Sequence, residues 1–214
     1  MMPHASIPRP TDHDQNRRQG LIFVISAPSG AGKTTLCKSV RSEFPDLLYS
    51  ISYTTRKPRS GEREGVDYHF ITAEDFKERI RQGRWAEWAE VHGNLYGTSA
   101  DVIDEGLSAG RDILLDIDVQ GTIQILARYP ECITIFIMPP DMETLRLRLE
   151  SRGTDDREEI ARRLVNAEKE MARRDLYRHV ILNDRLAEAQ EELKMLIRQY
   201  RSGGGRRDVS VPPF

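Results

Sequence analysis

Over 214 residues the chain carries 34 acidic and 32 basic side chains, so no bulk charge directs it to nucleic acid or to a membrane surface. The length fits one sizeable domain with room for inserted subdomains. With 38% apolar and 31% charged residues it reads as a modest core under a charged surface, and no apolar run approaches the ~20 residues that span a bilayer. The N-terminus lacks the apolar stretch of a signal peptide, and Cys37 and Cys132 lack metal-ligand spacing. Buried free thiols in a reducing cytoplasm are therefore expected.

Residues 1–19, rich in Pro, Asp and Arg and without periodicity, are expected to form a disordered tail. Leu21-Ile22-Phe23-Val24-Ile25 reads as a fully buried strand, and Leu36-Cys37-Lys38-Ser39-Val40 opens a helix that runs to about Phe44 and stops at Pro45. Between them lies Ser26-Ala27-Pro28-Ser29-Gly30-Ala31-Gly32-Lys33-Thr34-Thr35. A small-residue loop joining a strand to a helix is the context of a phosphate-binding loop. Its glycines let several N–H groups point at one anion, and the helix N-terminus adds partial positive charge. Lys33 is placed to reach the outer phosphates and the Thr34 hydroxyl to ligate Mg²⁺. Ala27 stands at the first glycine of the G-x-x-x-x-G-K-[ST] pattern, a place alanine fills only with negative φ.

Leu48 to Tyr53 alternates as a second strand. The stretch Ser52 to Glu62 then crowds hydroxyls and guanidiniums, with Arg56 and Arg59 three apart around the stiff Pro58. Such guanidinium forks match phosphate oxygens. Alone it reads as a solvated basic loop, but the strand Asp67-Tyr68-His69-Phe70-Ile71 can bring a phenol to the same anion. A helix follows over Ala73 to Gln82. Trp85 to Val91 alternates as a strand, with Trp85, Glu87 and Ala89 expected on one face and Trp88 and Glu90 on the other. Gly93 to Ser99 reads as a turn bearing Tyr96, Thr98 and Ser99, ahead of a helix from Ser99 to Ala109.

The core resumes at Asp112 to Gly121, an apolar strand ending in acids. Asp116 and Asp118, two apart on a strand, are expected on the same face, where an acid holds Mg²⁺ directly or through water. A helix over 121–128 leads to a buried strand, Cys132 to Met138. After Pro139-Pro140, Asp141 caps a helix ending near Gly153, with Arg148 and Arg152 on one face. Thr154-Asp155-Asp156 caps another that bears Arg162 and Arg163. This hairpin has few apolar anchors and is read as a moving lid whose arginines neutralise a transferring phosphoryl, against the default of a solvated, salt-bridged helix pair. A strand over 178–182 ends in Asn183-Asp184, a helix covers Leu186 to Tyr200, and residues 201–214 read as a flexible tail.

Strands alternating with helices behind a phosphate loop predict an α/β fold, a three-layer P-loop kinase core with a parallel sheet. The core is assigned to 20–52, 99–139 and 166–200, with an inserted mixed α/β nucleotide-monophosphate-binding subdomain over 53–98 and a helical lid over 140–165. Two anion sites facing one crevice point to phosphoryl transfer between nucleotides, achieved by positioning and electrostatics without a covalent nucleophile.

At the level of whole motifs the chain resembles the guanylate kinases. The resemblance is carried, in order over about residues 20–200, by Ala27-Pro28-Ser29-Gly30-Ala31-Gly32-Lys33-Thr34, Thr54-Thr55-Arg56-Lys57-Pro58-Arg59, Gly65-Val66-Asp67-Tyr68-His69-Phe70, Glu87-Trp88-Ala89 and Tyr96-Gly97-Thr98. It continues through Leu115-Asp116-Ile117-Asp118-Val119-Gln120-Gly121, Arg148-Leu149-Glu150-Ser151-Arg152-Gly153 and Val180-Ile181-Leu182-Asn183-Asp184. It implies the Mg²⁺-dependent reaction ATP + GMP ⇌ ADP + GDP in purine nucleotide metabolism, with dGMP as a further candidate substrate.

By the same resemblance the loop from Ala27 to Thr35 (Ala27, Pro28, Ser29, Gly30, Ala31, Gly32, Lys33, Thr34 and Thr35) binds ATP, with Asn183 near that site. Arg56, Arg59, Tyr68 and Tyr96 hold the GMP phosphate, and Ser52, Glu87, Thr98 and Asp118 surround the guanine. Thr34, with Asp116 through water, holds Mg²⁺; Arg148, Arg152 and Arg163 close on the phosphates beside Lys33 and Arg56. Guanine offers an N1–H and a 2-amino group that one carboxylate accepts together, and adenine lacks that pair. Many members have serine where this chain has Thr98, which keeps the hydroxyl. The competing readings are a catalytically inactive guanylate-kinase-like module that binds GMP or protein, and a related kinase acting on a ribose bisphosphate. Lys33, the glycine loop and the lid arginines favour an active kinase over the module, and Glu87 with its hydroxyl companions favours a base over a ribose bisphosphate.

Overall fold

The computed structural model describes residues 19–204 except 92, 152, 154 and 155. Arg152, the Thr154 and Asp155 caps and the bulk of both expected tails therefore lie outside the described residues. β1 (Ile22–Ser26) is buried along its whole length and leads into α1 (Lys33–Glu43) and the short β2 (Leu48–Tyr49). β3 (Tyr53–Thr54), β4 (His69–Phe70), α2 (Ala73–Arg81), β5 (Trp85–Val91) and β6 (Asn94–Ser99) form an inserted unit. The chain then returns through α3 (Ala100–Ser108), β7 (Ile113–Asp116), α4 (Val119–Arg128) and β8 (Ile133–Met138). α5 (Met142–Ser151) and α6 (Arg157–Met171) form the helical pair, and β9 (His179–Leu182) and α7 (Leu186–Arg201) close the core.

The main sheet runs β2-β7-β1-β8-β9, and every pairing in it is parallel. Because successive strand residues point to opposite faces, a β1 that is apolar from Ile22 to Ile25 feeds two layers at once. Phe23 and Ile25 pack with Leu36, Cys37 and Val40 of α1 and Ala189, Leu193 and Ile197 of α7. Ile22 and Val24 pack on the other side with Ala100 and Ile103 of α3 and Ile125 and Leu126 of α4. This is the three-layer arrangement that the alternation of strands and helices predicts. Cys37 and Cys132 are buried free thiols. No helix among the described residues is long and apolar enough to cross a membrane.

The expected strand over 48–53 is two strands of different sheets. Ser50 N–H still bonds Leu114 O of the parallel sheet, whereas Ser52 O accepts His69 N–H, so the chain changes sheets within two residues. The second sheet runs β4-β3-β6-β5, parallel between β3 and β4 and antiparallel elsewhere. The stretch 94–99, read as a turn from its Gly, Asn, Thr and Ser content, is a strand bonded on both sides, to β3 and to β5. Pairing on two flanks overrides a poor strand composition.

Arg201, the last residue of α7, ties the sheet's lower edge together. Its Nε donates to Asp112 Oδ2 at 2.9 Å, and its other nitrogens bond Asp46. Asp112 is 5% exposed and also accepts Leu21 N–H on Oδ1 at 2.9 Å. Removing the guanidinium takes a charge-assisted hydrogen bond from a buried carboxylate. Arg201→Ala should therefore cost about 2–3 kcal/mol, read as a lower urea midpoint at unchanged slope.

Candidate active site

The phosphate loop opens at the buried Ser26, whose hydroxyl lies 2.9 Å from Ile117 O and 2.8 Å from Thr122 Oγ1. Tyr177 adds its hydroxyl to Thr122 at 3.1 Å, so the end of β1 and the β7–α4 turn are one buried network. Ala27, the departure from the glycine pattern, packs against the core around β1. Gly30 and Gly32 both have φ of +96°, the left-handed region that only glycine enters without strain. Gly32 is also the N-cap of α1, and a Cβ there would stand 2.4 Å from Asn183 Nδ2. Asn183, 3% exposed, donates from that nitrogen to Ala31 O at 2.7 Å and so braces the loop from the end of β9.

Lys33 Nζ sits 2.5 Å from Asp116 Oδ1 and donates to Ile117 O at 3.1 Å. Burial by itself lowers the pKa of the ammonium, but the Asp116 carboxylate outweighs it and holds Lys33 above its ordinary value. Tyr49, unremarked in the sequence reading, directs its hydroxyl to the other Asp116 oxygen at 3.4 Å. Asp118 reaches the site by another route than expected. β7 ends at Asp116, and Asp118 is the N-cap of α4, its Oδ1 accepting Gly121 N–H at 2.8 Å. An aspartate three residues before a helical N–H satisfies an otherwise orphaned donor, which favours the cap over further strand.

A cavity of about 420 Å³ lies between the two sheets. Lys33, Thr34, Asp116 and Asp118 line it from the core, and Ser52, Tyr68, Glu87 and Tyr96 line it from the inserted unit. Asp67 and Tyr49 line it too, two residues that the sequence reading did not single out. Glu87 is 7% exposed, and Thr98 donates its hydroxyl to Glu87 Oε1 at 2.6 Å. Burial pushes the Glu87 carboxyl up to about 7, against the Thr98 bond and with the repulsion of Asp118. Glu170 of α6 behaves alike: burial, with Asp118 adding to it, lifts its carboxyl to about 7 against the pull of Lys33.

The expected face assignment on β5 is corrected by a bulge. Trp85 pairs with Ser99 and Glu87 with Thr98, so the register shifts between Trp85 and Glu87. Neighbours on β6 point to opposite faces, so Trp85 and Glu87 part company. Trp85 stacks on Phe76 of α2, ring centroids 4.3 Å apart, while Glu87, Ala89 and Val91 face the cavity. Alternation on sequence alone cannot register an extra residue.

Arg56, Arg59 and Thr98 do not line the cavity themselves. Arg56 donates from Nε to Tyr96 OH at 3.2 Å and lies 5.4 Å from the centre of the Tyr68 ring. Its two terminal nitrogens grip both Glu62 oxygens, at 3.0 and 2.9 Å. The Arg56–Glu62 pair is a bidentate carboxylate complex, the geometry a phosphate would also fit. Glu62 further accepts the Arg59 N–H at 2.8 Å, and the Arg59 side chain is exposed. The sequence contained Glu62 inside the basic loop, but nothing in the spacing announces this pairing.

On the other flank Arg148 donates to Asn183 O at 2.9 Å, and Arg163 Nη1 reaches Ser29 Oγ of the loop at 3.3 Å. The apolar anchoring of the α5–α6 pair is better than its charge density implies. Leu145 and Leu149 are fully buried with Ala167, and a Cβ on Gly30 would meet Leu145 Cδ1 at 2.9 Å.

The family model for guanylate kinase matches residues 19–200 of the chain. The guanylate kinase of Anaeromyxobacter dehalogenans is 52% identical over 189 residues, 87% of this chain and 84% of the relative. That of Syntrophotalea carbinolica is 50% identical over 181 residues, 85% of this chain and 86% of the relative. The crystal structure of guanylate kinase from Anaplasma phagocytophilum superposes with a TM-score of 0.67 at 32% identity, covering 85% of this chain and 86% of that one. A phosphate loop braced by Asn183, an acid-lined crevice and matches of this extent agree: the chain belongs to the guanylate kinase family.

Proposed function

We infer that the chain is an ATP:GMP phosphotransferase, moving the γ-phosphoryl of ATP to the phosphate of GMP to give ADP and GDP. The observation that carries this reading is the single cavity in which Lys33, Thr34 and Asp116 face Tyr68, Glu87 and Tyr96. A donor-side lysine and an acceptor-side base site share one space, as direct transfer between two nucleotides requires.

In this reading the loop from Ala27 to Thr35 cradles the ATP phosphates, and Asn183 keeps it in shape. Lys33 leaves Asp116 for the outer phosphates when ATP enters. Arg148 and Arg163, with Arg152, supply positive charge from the donor side. Arg56, Arg59, Tyr68 and Tyr96 receive the GMP phosphate, Arg56 exchanging Glu62 for it. Glu87 takes the guanine N1–H and 2-amino donors, oriented by Thr98, while Ser52 and Asp118 close the base site.

Thr34 and Asp116 line the same wall as hard oxygen donors, and no group of three or more His, Cys, Asp or Glu among the described residues forms a metal cage. That donor set fits Mg²⁺, which keeps several waters and shares its coordination with substrate phosphates. Bound there, Mg²⁺ would neutralise charge on the phosphates of ATP. Small nucleotides are the proposed partners, without nucleic acid or membrane, in the cytoplasm.

Initial rates of ADP formation from Mg-ATP with GMP, AMP, CMP or UMP test the reading. Turnover at about 1–100 s⁻¹ with GMP and none with the others is expected. Tight GMP binding without ADP release would instead make the chain a binding module.

A further inference from the structure

β5 is an edge strand, and the ladder to β6 is irregular just where Glu87 begins its cavity-facing run. β6 holds the Glu87 carboxylate through Thr98, but the strand that bears Glu87 has no strand on its other side among the described residues. α4 supplies what the sheet lacks. Gln124 donates from Nε2 to Trp88 O at 2.9 Å and accepts Trp88 N–H on Oε1 at 3.1 Å. One carboxamide thus makes both bonds that a neighbouring strand would make to the residue after Glu87. Three residues earlier on the same helix face, Gly121 lies beneath the Glu87 side chain: a Cβ there would stand 2.7 Å from Glu87 Oε2 and 3.2 Å from Cδ. The absence of that carbon is what lets the carboxylate rest on the first turn of α4.

We propose that Gln124 is a positioning residue that sets guanine affinity and specificity from outside the cavity, by clamping β5 so that Glu87 is seated on Gly121. The clamp reaches from the core, which carries Asp116 and Asp118, to the inserted unit. It holds the base acceptor in the frame of Asp116 and Asp118 rather than in that of the strands bearing Arg56 and Tyr68. Gln124 touches no substrate; it acts through Glu87, and the proposal rests on Glu87 being the guanine acceptor.

The test is steady-state kinetics of Gln124→Ala and Gln124→Glu with GMP and AMP at saturating Mg-ATP, beside Glu87→Gln. Gln124→Ala should raise KM for GMP about tenfold, the scale of one to two lost hydrogen bonds. KM for ATP should not move, kcat should stay within about threefold, and the preference for GMP over AMP in kcat/KM should shrink about tenfold. Gln124→Glu keeps the acceptor for Trp88 N–H and loses the donor, so it should fall between wild type and alanine. An alanine variant with unchanged KM and preference overturns the clamp. So does one whose kcat falls for GMP and AMP alike, KM unchanged, along with its melting temperature, since that marks general destabilisation. If Glu87→Gln keeps the guanine preference, the base reading and the clamp fall together; if only Glu87→Gln loses it, the clamp alone falls.

Discussion

Lys33→Ala should lower kcat by about a thousandfold or more, equivalent to ~4 kcal/mol of transition-state stabilisation, while the dissociation constant for GMP changes less than about threefold. The first half follows from charge. Lys33 is the cation on the core wall of the cavity, held 2.5 Å from Asp116 and above its ordinary pKa, so it enters the reaction fully protonated. Phosphoryl transfer spreads charge over equatorial oxygens, and a preplaced ammonium stabilises it without reorganisation. The second half follows from geometry. The acceptor-side groups Tyr68, Glu87 and Tyr96 stand on the opposite wall, and none of their hydrogen bonds involves Lys33. Calorimetric titration of GMP and single-turnover ADP formation separate the two quantities. Near-normal turnover would remove Lys33 from the chemistry. Loss of GMP binding would show that the Lys33–Asp116 pair holds the cavity open, a structural rather than an electrostatic role.

The parts of this site that were legible in the sequence are those governed by local rules. A run of apolar residues, Ile22 to Ile25, followed by small residues and Gly-Lys-Thr, can hardly be other than a strand, an anion loop and a helix, and it is. Asp141 was readable as a cap and does accept Thr144 N–H at 2.6 Å. Asp118 was placed in the site for the wrong local reason: it is there as a helix cap, a role that Asp followed three residues later by Gly already permitted. Leu145 and Leu149, four apart, were visible as a helix stripe but were outvoted by the charges around them. What could not be read depends on distant pairing. The bulge that parts Trp85 from Glu87 shows only against β6, and Gln124 meets Trp88 across 36 residues. Tyr49 is one residue of an expected strand on sequence, and only the pairing of β2 with β7 brings Asp116 beside it.

Glu87→Gln should reduce kcat/KM for GMP about a hundredfold and leave AMP unchanged or improved, so that the preference for guanine collapses. Thr98 can still donate to the amide oxygen, which leaves the nitrogen facing the N1–H and 2-amino donors of guanine: donor opposed to donor. The same substitution should erase a pH dependence. Burial raises the Glu87 carboxyl from its ordinary 4.5 to about 7, so in the free protein it holds its proton below neutrality. A raised acid pKa favours the folded state while the proton is retained, so Glu87's contribution to stability is present below about pH 4.5 and lost as the pH rises through about 7. Guanine recognition runs the other way, because only the carboxylate accepts both donors. For wild type, kcat/KM for GMP should be flat above about pH 7 and fall toward tenfold per unit below it. The phosphate of GMP titrates near pH 6, but it does so equally for both proteins, so the difference between their profiles isolates Glu87. A Gln variant that keeps both the acidic limb and the guanine preference would take Glu87 out of the base site. A variant that keeps the limb but loses the preference would assign the limb to Glu170, the other carboxyl held near 7 beside Asp118 and Lys33.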